Sequence, residues 1–206
     1  MLKLEQKSQL TYGNLEKFSI ILEELTEMEA NIFKRVITND VNCYATKIIN
    51  FLINQSSFRN PDLAHRIGLI PINNNNLSIE HLNSDKMYKC EINITNNTDD
   101  YYDVFSNHIE LLDSNDNHIG IYPYAENFKI TQLLPKQQLH LIIYIDKNNG
   151  NEHLRYKTCK CQTFKEIKSG FKLDFLNFGI INTEKIIKSA IKLCKKYNLT
   201  INANLL

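Results

Sequence analysis

The sequence predicts an α+β protein in which one domain, a sheet carrying two amphipathic helices, is split by a β-rich insert. Three observations lead there. A strand runs directly into an amphipathic helix near the N-terminus, the same order returns near the C-terminus, and the region between them is strand-rich. With 206 residues the chain has room for one large or two small cores. The expected boundaries are 1–47 and 161–206 for the split domain and 48–160 for the insert.

Taken in order, Phe18-Ser19-Ile20-Ile21-Leu22 reads as the first strand. Thr26-Glu27-Met28-Glu29 then has the Thr-x-x-Glu spacing of a capping box, in which hydroxyl and carboxylate each satisfy an orphaned backbone donor. It predicts a helix over about 27–38, with Phe33, Val36 and Ile37 on one face, Lys34 and Arg35 away from it, and Asn39-Asp40 ending it. Pro61 fixes its own φ and biases Asn60 towards extended geometry, so a short helical turn begins there with Asp62 near its positive end. Gly68 interrupts that turn, and Leu69-Ile70-Pro71-Ile72 reads as a short buried strand near a sheet edge. On residue grounds alone, His65 and Arg66 are solvated at this corner.

Asn73 to Asn76 reads as a surface loop. Strands follow at Tyr88 to Ile94 and His140 to Ile145, with a hairpin around Ser114-Asn115-Asp116-Asn117, residues that tolerate left-handed turn geometry. His108 and His118 flank that hairpin and are expected to face each other across it. Phe171 to Phe175 alternates as a strand, Gly179 breaks it, and Asn182 or Thr183 caps a second long helix. Ile187, Ala190, Ile191 and Cys194 fall at helical spacing, with Lys195 and Lys196 in the last turn. By itself this stripe reads as an internal core.

Several function classes are disfavoured. Lys plus Arg total 24 against 23 acids, a net charge of +1, which supplies no large positive field for autonomous nucleic-acid binding. No apolar run is long enough to cross a bilayer, and Met1 to Gln6 lacks a signal-peptide core, so an intracellular, reducing location is expected. Five cysteines at 43, 90, 159, 161 and 194 do not look like a disulfide framework. Cys159-Lys160-Cys161 on a strand puts both sulfurs on one face, which suits core packing or, with His153 nearby, a metal or redox site, although structural zinc needs four ligands. The six glycines form no phosphate cradle or dinucleotide turn. Asp99-Asp100, and Asp113 with Asp116, lie in polar turn-like stretches and read as solvated loop acids rather than a two-metal centre. No catalytic residue and no cofactor is expected.

Residues 60 to 72, Asn-Pro-Asp-Leu-Ala-His-Arg-Ile-Gly-Leu-Ile-Pro-Ile, resemble the "EFIAHRIGLIPL" segment of the third-largest subunit of eukaryotic RNA polymerases and of its archaeal D counterpart, the family of the bacterial alpha subunit. Glu29 to Ile37 is similar to that family's "ANSLRRVM" helix, with Asn31 and Arg35 at matching positions and Lys34 in place of the first Arg. Leu134 to Leu139, Asn149 to Tyr156 and Phe171 to Tyr197 resemble later blocks in the same order. The cysteine cluster that many cellular members carry in the insert is missing, since only Cys90 lies between Ile72 and Cys159.

The resemblance implies an alpha-subunit-like fold whose split domain is a dimerisation domain, and a non-catalytic scaffold role in transcription. The implied partners are a small alpha-like subunit and then the second-largest and largest polymerase subunits, with DNA met only through the complex. Asn31, Lys34, Arg35, His65 and Arg66 would face the large subunit, and Phe33, Ile37, Ile187, Ala190, Ile191 and Cys194 would form an intermolecular dimer core, left as an exposed apolar patch in the isolated chain. The Asn, Ile and Lys richness suggests an AT-rich coding genome and, with the lost cysteines, leans towards a large DNA virus, hence virion or host cytoplasm rather than nucleus. The rival expectation is a stand-alone β-rich binding module, or a small metal or redox protein using Cys159 and Cys161.

Overall fold

The computed structural model describes residues 1–9, 15–73, 87–125 and 127–204. It is a mixed α and β structure in which the chain makes two units, one from Met1–Cys43 with Asn148–Leu206 and one from Tyr44–Lys147. Of the loop expected at 73–76, residues 74–76 lie outside the described residues.

In the first unit a five-stranded sheet has the order β11-β1-β2-β10-β9, formed by Leu2–Gln9 (β1), Glu16–Glu23 (β2), Cys159–Ile167 (β9), Gly170–Asn177 (β10) and Ala203–Asn204 (β11). The pairing of β2 with β10 joins the two ends of the sequence, Phe18 opposite Phe175 and Leu22 opposite Phe171. Alternation puts Phe18, Ile20, Leu22, Leu173 and Phe175 on one buried face, while Lys17, Ser19, Lys172 and Asp174 take the other. Phe18 and Phe175 stack with centroids 5.1 Å apart. A register shift at Asp174/Phe175 leaves Gln162 as an extra residue on β9.

Two helices cover the apolar face. Helix α1, Glu27–Arg35, begins with the expected capping box: the Glu29 N–H donates to Thr26 Oγ1 at 3.3 Å and the Thr26 N–H to Glu29 Oε2 at 2.8 Å. It ends earlier than 38, because Val36–Asp40 winds as a π-helical turn. Asn182 caps α3, Thr183–Cys194, by accepting from the Glu184 N–H, and left-handed Asn198 closes its C-terminal end.

The second unit has a four-stranded sheet, order β3-β8-β4-β6, from Cys43–Asn54 (β3), Tyr88–Thr95 (β4), Glu110–Leu111 (β6) and Gln138–Asn148 (β8). Tyr102–Phe105 (β5) pairs with Lys129–Leu133 (β7). Helix α2, Asn60–Gly68, packs Leu63 and Ile67 into a core with Ile92, Leu111, Leu141 and Ile143. The expected strand at 69–72 is a correction: α2 runs on to Gly68, and only Ile72 bridges, to Tyr124. Pro71 has no N–H to extend a ladder there.

The unit boundaries also differ from 47/48 and 160/161, falling at 43/44 and 147/148. A cut after 160 would pass through β9, which pairs with β10 from Cys159 onwards. The turn before β9 belongs to the first unit as well, since the Cys43 thiol donates to the Tyr156 carbonyl and Asn151 Nδ2 donates to Asp40.

Candidate functional site

The side chains expected at an assembly face divide between the two units. In the first, the i,i+3 spacing of α1 brings Lys34 Nζ to Asn31 Oδ1 at 2.7 Å and holds the ammonium over the Phe164 ring, 4.7 Å from its centroid. Arg35 points to solvent. Its charge acts on Tyr197, whose phenol is nevertheless pushed above its ordinary pKa by the hydrogen bond it donates to Asp40, 2.8 Å away, and by that carboxylate's charge. Asp40 also accepts from Asn151 Nδ2 at 2.7 Å, so the π-turn is tied to two distant segments. Sequence reasoning saw Asp40 only as a helix stop, and no local signal marks partners 111 and 157 residues away.

In the second unit, α2 carries His65 and Arg66, both exposed, His65 opposite Leu63 and Ile67 and Arg66 at the flank of that buried face. Arg66 is held: Nη2 donates to the Lys129 carbonyl at 2.9 Å, and the guanidinium lies 4.9 Å from the Phe58 ring centroid. Arg59 and Asp62 pair at 3.0 Å across the first turn.

The expected dimer core requires correction. Phe33, Ile37, Ile187, Ala190 and Cys194 are all 0% exposed within this one chain, packed with Leu2, Phe18, Ile20, Leu173 and Phe175. They build the hydrophobic core between helices and sheet, not an exposed apolar patch. Ile191 is half-buried at its margin, with Ile32, Leu25 and Leu193. Met28, 74% exposed, is the large apolar side chain that α1 leaves in solvent.

The cysteines sit in apolar surroundings. Burial pushes the Cys43 and Cys159 thiols up to about 12 and Cys194 to about 11, and raises Cys90 and Cys161 as well. Such thiols are poor nucleophiles at neutral pH. Cys159 and Cys161 share the core-facing side of β9, donating to the Ile37 and Thr163 carbonyls, respectively. Among the described residues no group of three or more His, Cys, Asp or Glu is arranged to hold a metal ion.

His108 and His118 do not face each other. The His108 Nδ1 accepts from the Phe105 N–H at 3.1 Å, whereas His118 lies between Glu91 and Glu110, at 3.0 and 3.1 Å. Asp99 and Asp100 are exposed, Asp113 accepts from the Asn115 and Asn117 N–H groups, and Asp116 pairs with Lys89. The polar face of the first sheet has a cavity of ≈ 340 Å³ lined by Ser19, Thr163, Lys172 and Asp174 among others. Burial works to raise the Asp174 pKa, but hydrogen bonds from Thr163 and Ser19 and the Lys172 charge hold it below the usual carboxylate value. A carboxylate so engaged is a structural acceptor, not a base poised for proton transfer.

Among the described residues no helix is long and apolar enough to cross a membrane. Compared with protein-family models and with curated proteins, the chain matches none.

Proposed function

We propose that this chain is a non-catalytic assembly subunit of a multisubunit DNA-directed RNA polymerase, of the third-largest-subunit type. It pairs with a small alpha-like subunit and then seats the second-largest and largest subunits. The observation that carries the reading is the stretch Ala64-His65-Arg66-Ile67-Gly68-Leu69-Ile70-Pro71, with Asn31, Lys34 and Arg35 as its second support. A unit built from both ends of the sequence, with a β-rich unit between them, is compatible with that architecture.

On this reading the pairing surface is what α1 and α3 leave outside their own core, centred on Met28, Ile32 and Ile191. Exposed Arg35 offers a forked guanidinium to a carboxylate or to carbonyls of a large subunit. The complex works in a reducing, intracellular compartment. Tagged chain is purified from its native source at high salt and the bound proteins are identified by mass spectrometry. Two very large subunits and one small one are expected, and Arg35→Ala should keep the small partner while losing the large ones. A lone monomer, or full recovery of the large subunits by Arg35→Ala at wild-type yield, contradicts the assignment.

A further inference from the structure

The near-neutral charge of the whole chain conceals a division. The residues of the first unit carry 16 Lys and Arg against 11 Asp and Glu, and those of the second carry 8 against 12. The basic excess is concentrated on α3 and the turn that follows it, where Lys185, Lys188, Lys192, Lys195 and Lys196 are all exposed. At 100° per residue these five fall within an arc of about 100°, diametrically opposite Ile186, Ile187, Ala190 and Cys194. Glu184, at the far N-terminal end, is the one acidic residue in the helix. Lys188, Lys192, Lys195 and Lys196 form no ion pair among the described residues.

From this geometry we infer that the outer face of α3 is a docking strip for the phosphate backbone of duplex DNA, read without regard to sequence. From Lys188 to Lys192 to Lys196 the side chains leave the helix at steps of about 6 Å along its axis, a row of ammonium groups suited to one backbone. The row is a poor match to a protein partner: Lys is depleted at protein interfaces, whose energy comes from aromatic and Arg anchors, and α3 itself holds neither. Single-stranded nucleic acid is also disfavoured, because it is gripped by stacking on aromatic side chains. The nearest aromatic, Tyr197, is turned towards Asp40 by its hydrogen bond. Phosphate contacts from lysine position a duplex without specifying bases. This surface does not depend on the polymerase reading, which brings DNA to the chain only through the complex.

The test uses the purified full chain and a labelled duplex of arbitrary sequence, about 30 base pairs long, followed by fluorescence anisotropy between about 50 and 200 mM salt. The logarithm of the binding constant should fall linearly with the logarithm of salt with a slope of about −4.5, near 0.9 for each of about five phosphates neutralised. Replacing Lys188, Lys192, Lys195 and Lys196 together by Gln should reduce the slope to about −1 and weaken binding at the lowest salt more than tenfold. Lys136→Gln with Lys147→Gln, in the other unit, should change neither. Should the fourfold variant fail to fold, Lys188→Gln and Lys192→Gln singly, each lowering the slope by about 1, decide the matter. Absence of binding at the lowest salt, or a slope unmoved by these substitutions, overturns the inference. Tighter binding of a single strand, or equal binding of poly-glutamate, overturns it in favour of those partners.

Discussion

Ile187→Ala separates an internal core from an intermolecular one. Ile187 is 0% exposed in the isolated chain, among Phe33, Leu173, Phe175 and other buried side chains of the first unit. Truncation removes three carbons, at ~0.8 kcal/mol per buried CH2 a transfer loss of about 2.4 kcal/mol. Incomplete collapse of the cavity adds to it, giving about 3–4 kcal/mol, inside the range seen for such truncations. For a unit of this size that lowers its melting temperature on the order of 15–25 °C. Met28→Ala is the control: at 74% exposed it should change stability by no more than about 0.5 kcal/mol. Both are measured on the isolated chain by urea and thermal unfolding monitored by circular dichroism. If Ile187→Ala leaves the midpoint unmoved, or Met28→Ala costs as much, then this stripe is not the chain's own core and the assignment of the two helix faces is wrong.

Two further substitutions probe the sheet beneath. Gly170→Ala should destabilise by at least about 2 kcal/mol, because φ is +142° and an added Cβ would lie 2.1 Å from the Leu22 carbonyl oxygen; an unchanged melting temperature would contradict the register that sets Gly170 opposite Glu23. Asp174, held below its ordinary pKa, contributes stability that is present above the unfolded carboxyl value near about 3.9 and is lost as pH falls through the lower folded value. Melting temperature should therefore drop more steeply below about pH 4 in the wild type than in Asp174→Asn, and parallel profiles would show that Thr163 and Ser19 do not stabilise the ionised form.

Local signals were enough for three elements. The Thr26/Glu29 pair announced the start of α1, the alternation of Phe171 to Phe175 marked β10, and the spacing of Ile187, Ala190 and Cys194 traced α3. Strand β3 was harder, because its burial does not alternate cleanly: Lys47 and Ile48 are both exposed, and a period-two pattern is broken there. The early end of α1 was illegible for another reason. The π-turn at 36–40 has its last residue fixed by Tyr197 and Asn151, so its geometry depends on contacts far away in sequence. Likewise one of the two carboxylates that hold His118, Glu91 of β4, lies outside residues 106–118, and no reading of that segment alone contains it.

By its residues alone the α3 stripe reads as an internal core, and only the resemblance assigned it to a partner. Periodicity identifies which residues share a face, but it does not say what covers that face: an apolar stripe looks the same whether a sheet of its own chain or a partner's helix lies against it. Here the sheet claims the stripe, since β2 and β10 present Ile20, Leu22, Leu173 and Phe175 to the same core. The side of α3 turned to solvent, together with the turn that follows it, carries lysine at five positions. Because the two faces lie half a turn apart, stability and charge-dependent binding should respond to different substitutions. Changes at Ile187 act through the core, whereas changes at Lys188 or Lys192 reach a partner without disturbing the fold.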